Sequence, residues 1–163
     1  MRYLLMYNPV SGRSTFKHKV KKIKSFFEKR GFELDVYESR KSDDLKDKAF
    51  QAAKDYDVFF VAGGDGTVNE VVNGMMKSDV KPALAILPSG TANDIASILG
   101  VPRILTCALR MYLKSDPVNI DVNVMNDRYF VYTAASGVLS KVSYDVSRRR
   151  VKKYGYLAYV FAA

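Results

Sequence analysis

Continuous apolar runs that stop at glycine- or proline-bearing loops constrain this chain more than any other feature. Tyr3–Tyr7 (YLLMY) ends at Asn8-Pro9, Val58–Ala62 (VFFVA) at Gly63-Gly64, and Ala83–Pro88 (ALAILP) at Ser89-Gly90. A strand that is apolar throughout must be covered on both faces. Helical spacing follows each run. Phe16, Val20, Ile23 and Phe27 recur with that period, Lys17, Lys21 and Lys24 fall on other faces, and Gly31 ends the pattern. Phe32–Glu38 alternates as a strand, and Asp43–Tyr56 predicts a helix with Leu45, Ala49, Ala52 and Ala53 inward. Further helices are predicted over Val68–Met76, from Asn93, and over Leu105–Leu113. Strands alternating with amphipathic helices predict an α/β fold, a parallel sheet with helices on both faces.

Near residue 118 the pattern changes. Val118–Met125 and Tyr129–Ala135 read as two strands joined by Asn126-Asp127, a two-residue hairpin link. An α/β domain over 1–117 and the start of a second domain over 118–163 are therefore expected. The closing YGYLAYVFAA is apolar with no polar terminus, so it is read as a stretch that further chain or a partner covers.

Composition excludes several classes. Lys and Arg number 26 against 17 Asp and Glu, a net charge of +9 that favours an anionic partner. Cys107 is alone, which rules out a disulfide framework and a thiolate metal site and suits a reducing cytoplasm; it is read as a buried structural thiol. His18 is the one histidine and lies among lysines, so it is read as solvated, with neither a histidine metal cluster nor a Ser-His-acid triad around it. No run approaches the roughly 18 apolar residues of a membrane span, so membrane contact is expected to be peripheral. The basic first helix and Arg148–Tyr156 (RRRVKKYGY) are candidate surfaces for phosphate head groups. A nucleic-acid role would rest on charge alone, since no RNA-reading aromatic signature or helix-turn-helix spacing appears, and none is expected.

Three strand-end loops carry unusual residues: Asn8–Arg13 (NPVSGR), Gly63–Thr67 (GGDGT) and Leu87–Asp94 (LPSGTAND). Ligands of open α/β sheets bind outside the carboxyl ends of the strands. The glycines of GGDGT are read as allowing positive φ and removing β-carbons, so that a phosphate can approach a helix N-terminus. Asp65 beside phosphates implies a cation between them, Mg²⁺ held directly or through water. A blander account of the same residues is helix capping: Thr67 and Glu70 form T-x-x-E, and Thr91 and Asp94 form T-x-x-D. Successive occurrence at three strand ends favours the phosphate reading. No P-loop and no protein-kinase signature is present.

The set N-P-x-S-G, G-G-D-G-T-x-N-E and L-P-x-G-T-x-N-D, in this order, resembles the diacylglycerol kinase catalytic-domain family, which includes bacterial soluble lipid kinases and the sphingosine and ceramide kinases. KKYGYLAYV resembles that family's next segment. The G-G-D-G-T element alone also occurs in NAD kinases and phosphofructokinases. The resemblance implies a three-layer α/β/α nucleotide-binding domain like theirs, with a mainly parallel sheet, followed by a β-sandwich second domain. It implies an ATP-dependent lipid kinase using Mg²⁺ at a membrane surface, cytoplasmic and peripherally associated, its oligomeric state open to a homodimer. By position it assigns nucleotide binding to Asn8, Gly12, Ser39, Gly63, Gly64, Asp65, Gly66, Thr67, Asn69, Glu70, Thr91, Asn93 and Asp94. Asp65 is also the implied catalytic residue and metal organiser, through water. Ser39 stands where the family often has threonine and keeps the hydroxyl. Family members run to roughly twice this length, and no residue here matches their catalytic base. This chain is thus expected to be the nucleotide-binding part, inactive alone. An NAD kinase-like enzyme and a non-catalytic nucleotide-sensing module are the rival readings.

Overall fold

The computed structural model describes residues 1–10 and 16–132. Its apolar runs form β1 (Tyr3–Tyr7), β2 (Leu34–Glu38), β3 (Val58–Gly63) and β4 (Ala83–Pro88), one wholly parallel sheet in the order β2-β1-β3-β4. The most apolar strands, β1 and β3, are the central pair. Every residue of β1 is buried, as is β3 from Phe59 onward. Less apolar β2 takes an edge, where one side of its ladder faces solvent. From β1 the chain steps outward to β2, then crosses back to β3 and on to β4. That reversal opens a crevice between the carboxyl ends of β1 and β3.

Helices α1 (Lys17–Glu28), α2 (Asp44–Ala52), α3 (Asp65–Met75), α4 (Asp94–Ile98) and α5 (Leu105–Tyr112) cover this sheet, completing the α/β architecture with its parallel sheet. On one face Phe27 of α1 meets Tyr3 and Phe60 edge-on at 5.1 and 5.2 Å between ring centroids, and Tyr112 of α5 meets Phe60 at 5.9 Å. Tyr112 also covers an edge. Its hydroxyl accepts from Ile86 N–H (2.9 Å) and donates to Ile86 O (3.0 Å), satisfying both outward-facing backbone groups at the middle of β4. Burial pushes that phenol up to about 12.

Right-handed crossovers place α2 and α3 on the other face, packed against each other. Their closest approach is at Gly74, where an added Cβ would lie 2.1 Å from Lys46 O and 2.9 Å from Ala49 Cβ. Glycine here serves helix packing.

After α5 come β5 (Asn123–Met125) and β6 (Arg128–Phe130), antiparallel. Asn126 and Asp127 both take positive φ, 47° and 60°, the mirror-image turn that a two-residue hairpin link requires. The pairing is shorter than the sequence pattern implied: Val118 and Ile120 are exposed and precede β5, and the expected second strand runs into residues 133–135, outside the described residues. YGYLAYVFAA and Arg148–Tyr156 lie outside them as well. Among the described residues no helix is long and apolar enough to cross a membrane.

Several expectations are corrected. Helix α2 stops at Ala52 and turns through Ala53–Asp55 instead of continuing to Tyr56. Helix α3 starts at Asp65, not Val68, so the Asp-Gly-Thr of the loop is its first turn. Cys107 is exposed, because Ala108 and Leu109 occupy the buried stripe of α5. His18 is exposed on α1, as its lysine-rich surroundings implied.

Replacing Gly74 by Ala forces the α2 backbone to move and is expected to cost about 1–3 kcal/mol. Chemical denaturation of the two proteins checks this; an unchanged midpoint would mean the helices separate freely.

Candidate functional site

Backbone hydrogen bonds extend the sheet beyond its strands and align the loops. Ser39 N–H donates to Tyr7 O (2.9 Å), Asn8 N–H to Ala62 O (3.3 Å) and Ser89 N–H to Gly63 O (3.1 Å). Asn8, Ser39, Gly63-Gly64 and Ser89-Gly90 thus share one edge, at the ends of β1, β2, β3 and β4. Val10 N–H donates to Asn8 Oδ1 (3.0 Å), closing a turn directly after β1. Gly12 lies outside the described residues.

The glycines of GGDGT do three different things. A Cβ on Gly63 would lie 2.3 Å from Thr67 Cβ, so Gly63 makes room for the buried Thr67 side chain. Gly64 faces Gly90: a Cβ on Gly90 would lie 2.3 Å from Gly64 Cα and 2.9 Å from Gly64 N. Bare backbone packs on bare backbone there. Only Gly66 of the three has nothing within 4 Å of an added Cβ, and it is exposed. None takes positive φ; among the described residues the glycines that do are Gly31 and Gly100. The expected left-handed turn is therefore absent, and open space for a ligand is found at Gly66 alone.

Gly64 is the N-cap of α3, with extended backbone and no side-chain cap. Thr67 N–H and Val68 N–H both return to Gly64 O, at 2.9 and 3.1 Å. The preceding amides of Asp65 and Gly66 have no acceptor among the described residues, so the positive end of α3 opens at the loop.

Neither capping box forms, and Asp65 and Glu70 cap other helices instead. Asp65 Oδ1 accepts from Ile95 N–H (3.0 Å) in α4, tying the β3 loop to the β4 loop, and leaves Oδ2 without a hydrogen bond to a described residue. Glu70 reaches α2: Oε1 accepts from Leu45 N–H (2.9 Å), and Lys46 N–H also bonds the carboxylate. Burial raises the Glu70 carboxyl above its ordinary value, and the nearby charges of Asp43 and Asp44 add to this, while the two amides work against it. Its carboxylate is committed to α2, away from the Gly66 opening. Ser39 is buried and its hydroxyl donates to Lys41 O (3.0 Å).

On the β4 side, Asn93 takes the left-handed conformation (φ 59°), which asparagine tolerates. Its amide closes on Gly90, accepting from Gly90 N–H (2.7 Å) and donating to Gly90 O (2.9 Å). Thr91 and Asp94 are exposed at the rim. Two buried side-chain atoms among the described residues lack a hydrogen-bond partner: Asn69 Oδ1 and Ser89 Oγ. Such groups are costly unless something pairs with them. Asn69 was anticipated from the motif. Ser89 was not, although a second hydroxyl beside Gly90-Thr91 was there to be read. A further group was also missed. Glu38, at the end of β2, accepts from Tyr7 Oη and pairs with Lys17 of α1 at 3.2 Å. The Tyr7 hydrogen bond, then Lys17, hold its carboxyl below the usual range, while burial pushes the Tyr7 phenol up to about 12.

No cluster of three or more His, Cys, Asp or Glu able to hold a metal exists among the described residues. The fit for Mg²⁺ is of another kind: a single carboxylate with one unengaged oxygen beside open helix amides, as where substrate phosphates and water complete the shell.

The match to a family model agrees with this geometry. Residues 2–125 match the diacylglycerol kinase catalytic domain, and the chain belongs to that family. It is 36% identical over 159 residues to a diacylglycerol kinase of Staphylococcus carnosus (strain TM300), covering 97% of this chain and 52% of that protein. To a diacylglycerol kinase of Staphylococcus aureus (strain Newman) it is 37% identical, covering 97% and 50%. A crystal structure of a diacylglycerol kinase from Bacillus anthracis str. Sterne superposes with a TM-score of 0.71 at 31% identity, over 79% of this chain and 45% of that one. The chain spans about half the length of the curated relatives it matches.

Removing the Glu70 cap should be measurable. Glu70→Ala is expected to lose about 1–2 kcal/mol of stability, and Glu70→Gln less, since it keeps an acceptor. Because the folded-state carboxyl is raised, its protonation favours the folded state: that stability is full below the ordinary carboxylate value and lost as pH rises through the raised one. Wild-type stability relative to Glu70→Gln should therefore increase as pH falls from neutral into that range. A flat difference between pH 7 and 4 would contradict it.

Proposed function

We propose that this chain is the nucleotide-binding part of an ATP-dependent lipid kinase, which transfers the γ-phosphoryl group of ATP to a lipid hydroxyl. The observation that carries the reading is the start of α3, where membership of the diacylglycerol kinase family coincides with the one GGDGT glycine that leaves open space, Gly66. In this reading the phosphates lie against the Asp65 and Gly66 amides at the positive end of α3. Asn69 Oδ1 and Ser89 Oγ find partners on the bound nucleotide or its water. Asn8, Thr91, Asn93 and Asp94 line the two flanking loops. Magnesium, when bound, supplies charge neutralisation on the phosphoryl group. Asp65 orients its water shell through Oδ2, while Oδ1 keeps the β4 loop in place. Glu70 and Ser39 act indirectly, by holding α2 and the end of β2.

The acceptor is a diacylglycerol or related lipid, met at an anionic membrane surface by a peripherally bound, cytoplasmic protein. Exposed Lys17, Lys19, Lys21, Lys22 and Lys24 on α1 supply positive charge for that encounter. The isolated 163-residue chain is not competent for transfer in this reading, because nothing in it matches the family's base. A second reading, a nucleotide-sensing module without catalysis, draws on the same loops.

Phosphate transfer from labelled ATP to a mixed lipid extract with Mg²⁺, comparing this chain with the protein carried to its natural stop codon, separates the two. Labelling of lipid by the longer protein alone is expected; ATP binding without any lipid labelling would favour the sensing module. Asp65→Asn retains an acceptor for Ile95 N–H, so it should leave the fold intact and lower transfer about 100-fold or more; normal turnover would remove Asp65 from the mechanism. Gly66→Ala should fold normally and weaken ATP binding about tenfold by filling the open approach. Gly90→Ala should damage the fold itself, and denaturation midpoints tell the two glycines apart.

A further inference from the structure

The hairpin and the phosphate loop are joined by one side chain. Met125 and Arg128 close the β5–β6 turn, so the next pair, Val124 and Tyr129, is one whose backbone groups point away from the partner strand. The outward N–H and C=O of Tyr129 would form an open strand edge. Asn73 covers it. Its Oδ1 accepts from Tyr129 N–H (3.0 Å) and its Nδ2 donates to Tyr129 O (2.7 Å), so that the amide stands in for a third strand. The orientation of the amide is forced, since only this way round are both bonds satisfied. The same Nδ2 donates to Asn69 O (2.8 Å), one helical turn back toward the Gly66 opening. Asn73 sits in α3, whose first turn is the Asp-Gly-Thr loop, and Tyr129 and Val131 pack partly buried against the core.

We propose that Asn73 is a positioning residue for phosphoryl transfer. It latches the outer edge of the β5–β6 hairpin to α3, so that the hairpin and the phosphate loop move as one body. The hairpin itself is then held to the nucleotide site in a fixed relation. This rests on the lipid-kinase reading for its catalytic consequence, though the latch itself does not. Asn73 meets the nucleotide side only at the Asn69 main-chain carbonyl, leaving the Asn69 side chain and the Asp65 and Gly66 amides in place, so the cost falls on turnover far more than on nucleotide affinity.

Two variants separate latching from packing. Asn73→Ala removes the amide. Asn73→Asp keeps its size and one acceptor, but sets a carboxylate oxygen against Tyr129 O. If the latch operates, both variants speed amide hydrogen exchange at Tyr129, leave ATP affinity within about twofold, and lower kcat about tenfold with KM for ATP little changed. A purely packing role predicts that Asn73→Asp behaves like wild type in both measurements, and that result overturns the proposal. So does faster exchange at Tyr129 with kcat unchanged, since the hairpin would then be loose without consequence. The kinetics are run on the protein carried to its natural stop codon, with diacylglycerol in mixed micelles as acceptor. If wild type binds ATP yet labels no lipid, the kinase reading fails, and exchange at Tyr129 alone then decides whether Asn73 latches the hairpin.

Discussion

The contact of Gly90 with Gly64 is the constraint on which the rest of the site depends. Two strand-end loops meet there backbone to backbone, at a distance no side chain permits. Because they meet, Asp65 at the start of α3 can reach Ile95 in α4, and the amide of Asn93 can close on Gly90. One close approach therefore sets the geometry of both loops. The open amides of α3 lie beside it, since the chain leaves β3 through Gly63 and Gly64 directly into the helix and Gly64 has no side chain to cap them.

Polar side chains of this protein serve largely to close backbone groups on other elements. Tyr112 closes the edge of β4, Glu70 the first turn of α2, Asp65 that of α4, and Asn73 the outer edge of β6. Each such bond contributes about 1 kcal/mol, but leaving a buried amide unpaired costs more. They are long-range ties, linking residues distant in sequence, and they couple the phosphate loop to its surroundings. A change at Asp65, Glu70 or Asn73 would be felt at α3, since these three originate on that helix.

How much of this was legible in the sequence depended on whether the signal was local. The strands β1, β3 and β4 read directly, because an unbroken apolar run has few places to go but the middle of a sheet. The Asn126-Asp127 turn read for a similar reason: two successive residues tolerant of positive φ define a hairpin. Helix starts read less well. T-x-x-E and T-x-x-D matched capping boxes, yet α3 and α4 begin elsewhere, Glu70 is engaged across space with α2, and Asp94 stands exposed at the rim. No pattern of neighbours along the chain could show that Glu70 would find Leu45, or that Cys107 would face outward while Leu109 turned in.

The sequence alone determined the alternating α/β order, the parallel sheet, the three loops at one end of it, and the family. These rest on apolar period and on glycine, proline and asparagine placement, which act within a few residues. Only the tertiary structure decided what each glycine is for. Gly63 and Gly74 are small because a Thr67 side chain and the Lys46 carbonyl lie against them, Gly64 and Gly90 because they lie against each other, and Gly66, alone of these five, has space left beside it. A missing β-carbon looks the same in every sequence. What would have occupied its place is a matter of which distant atoms the fold brings there.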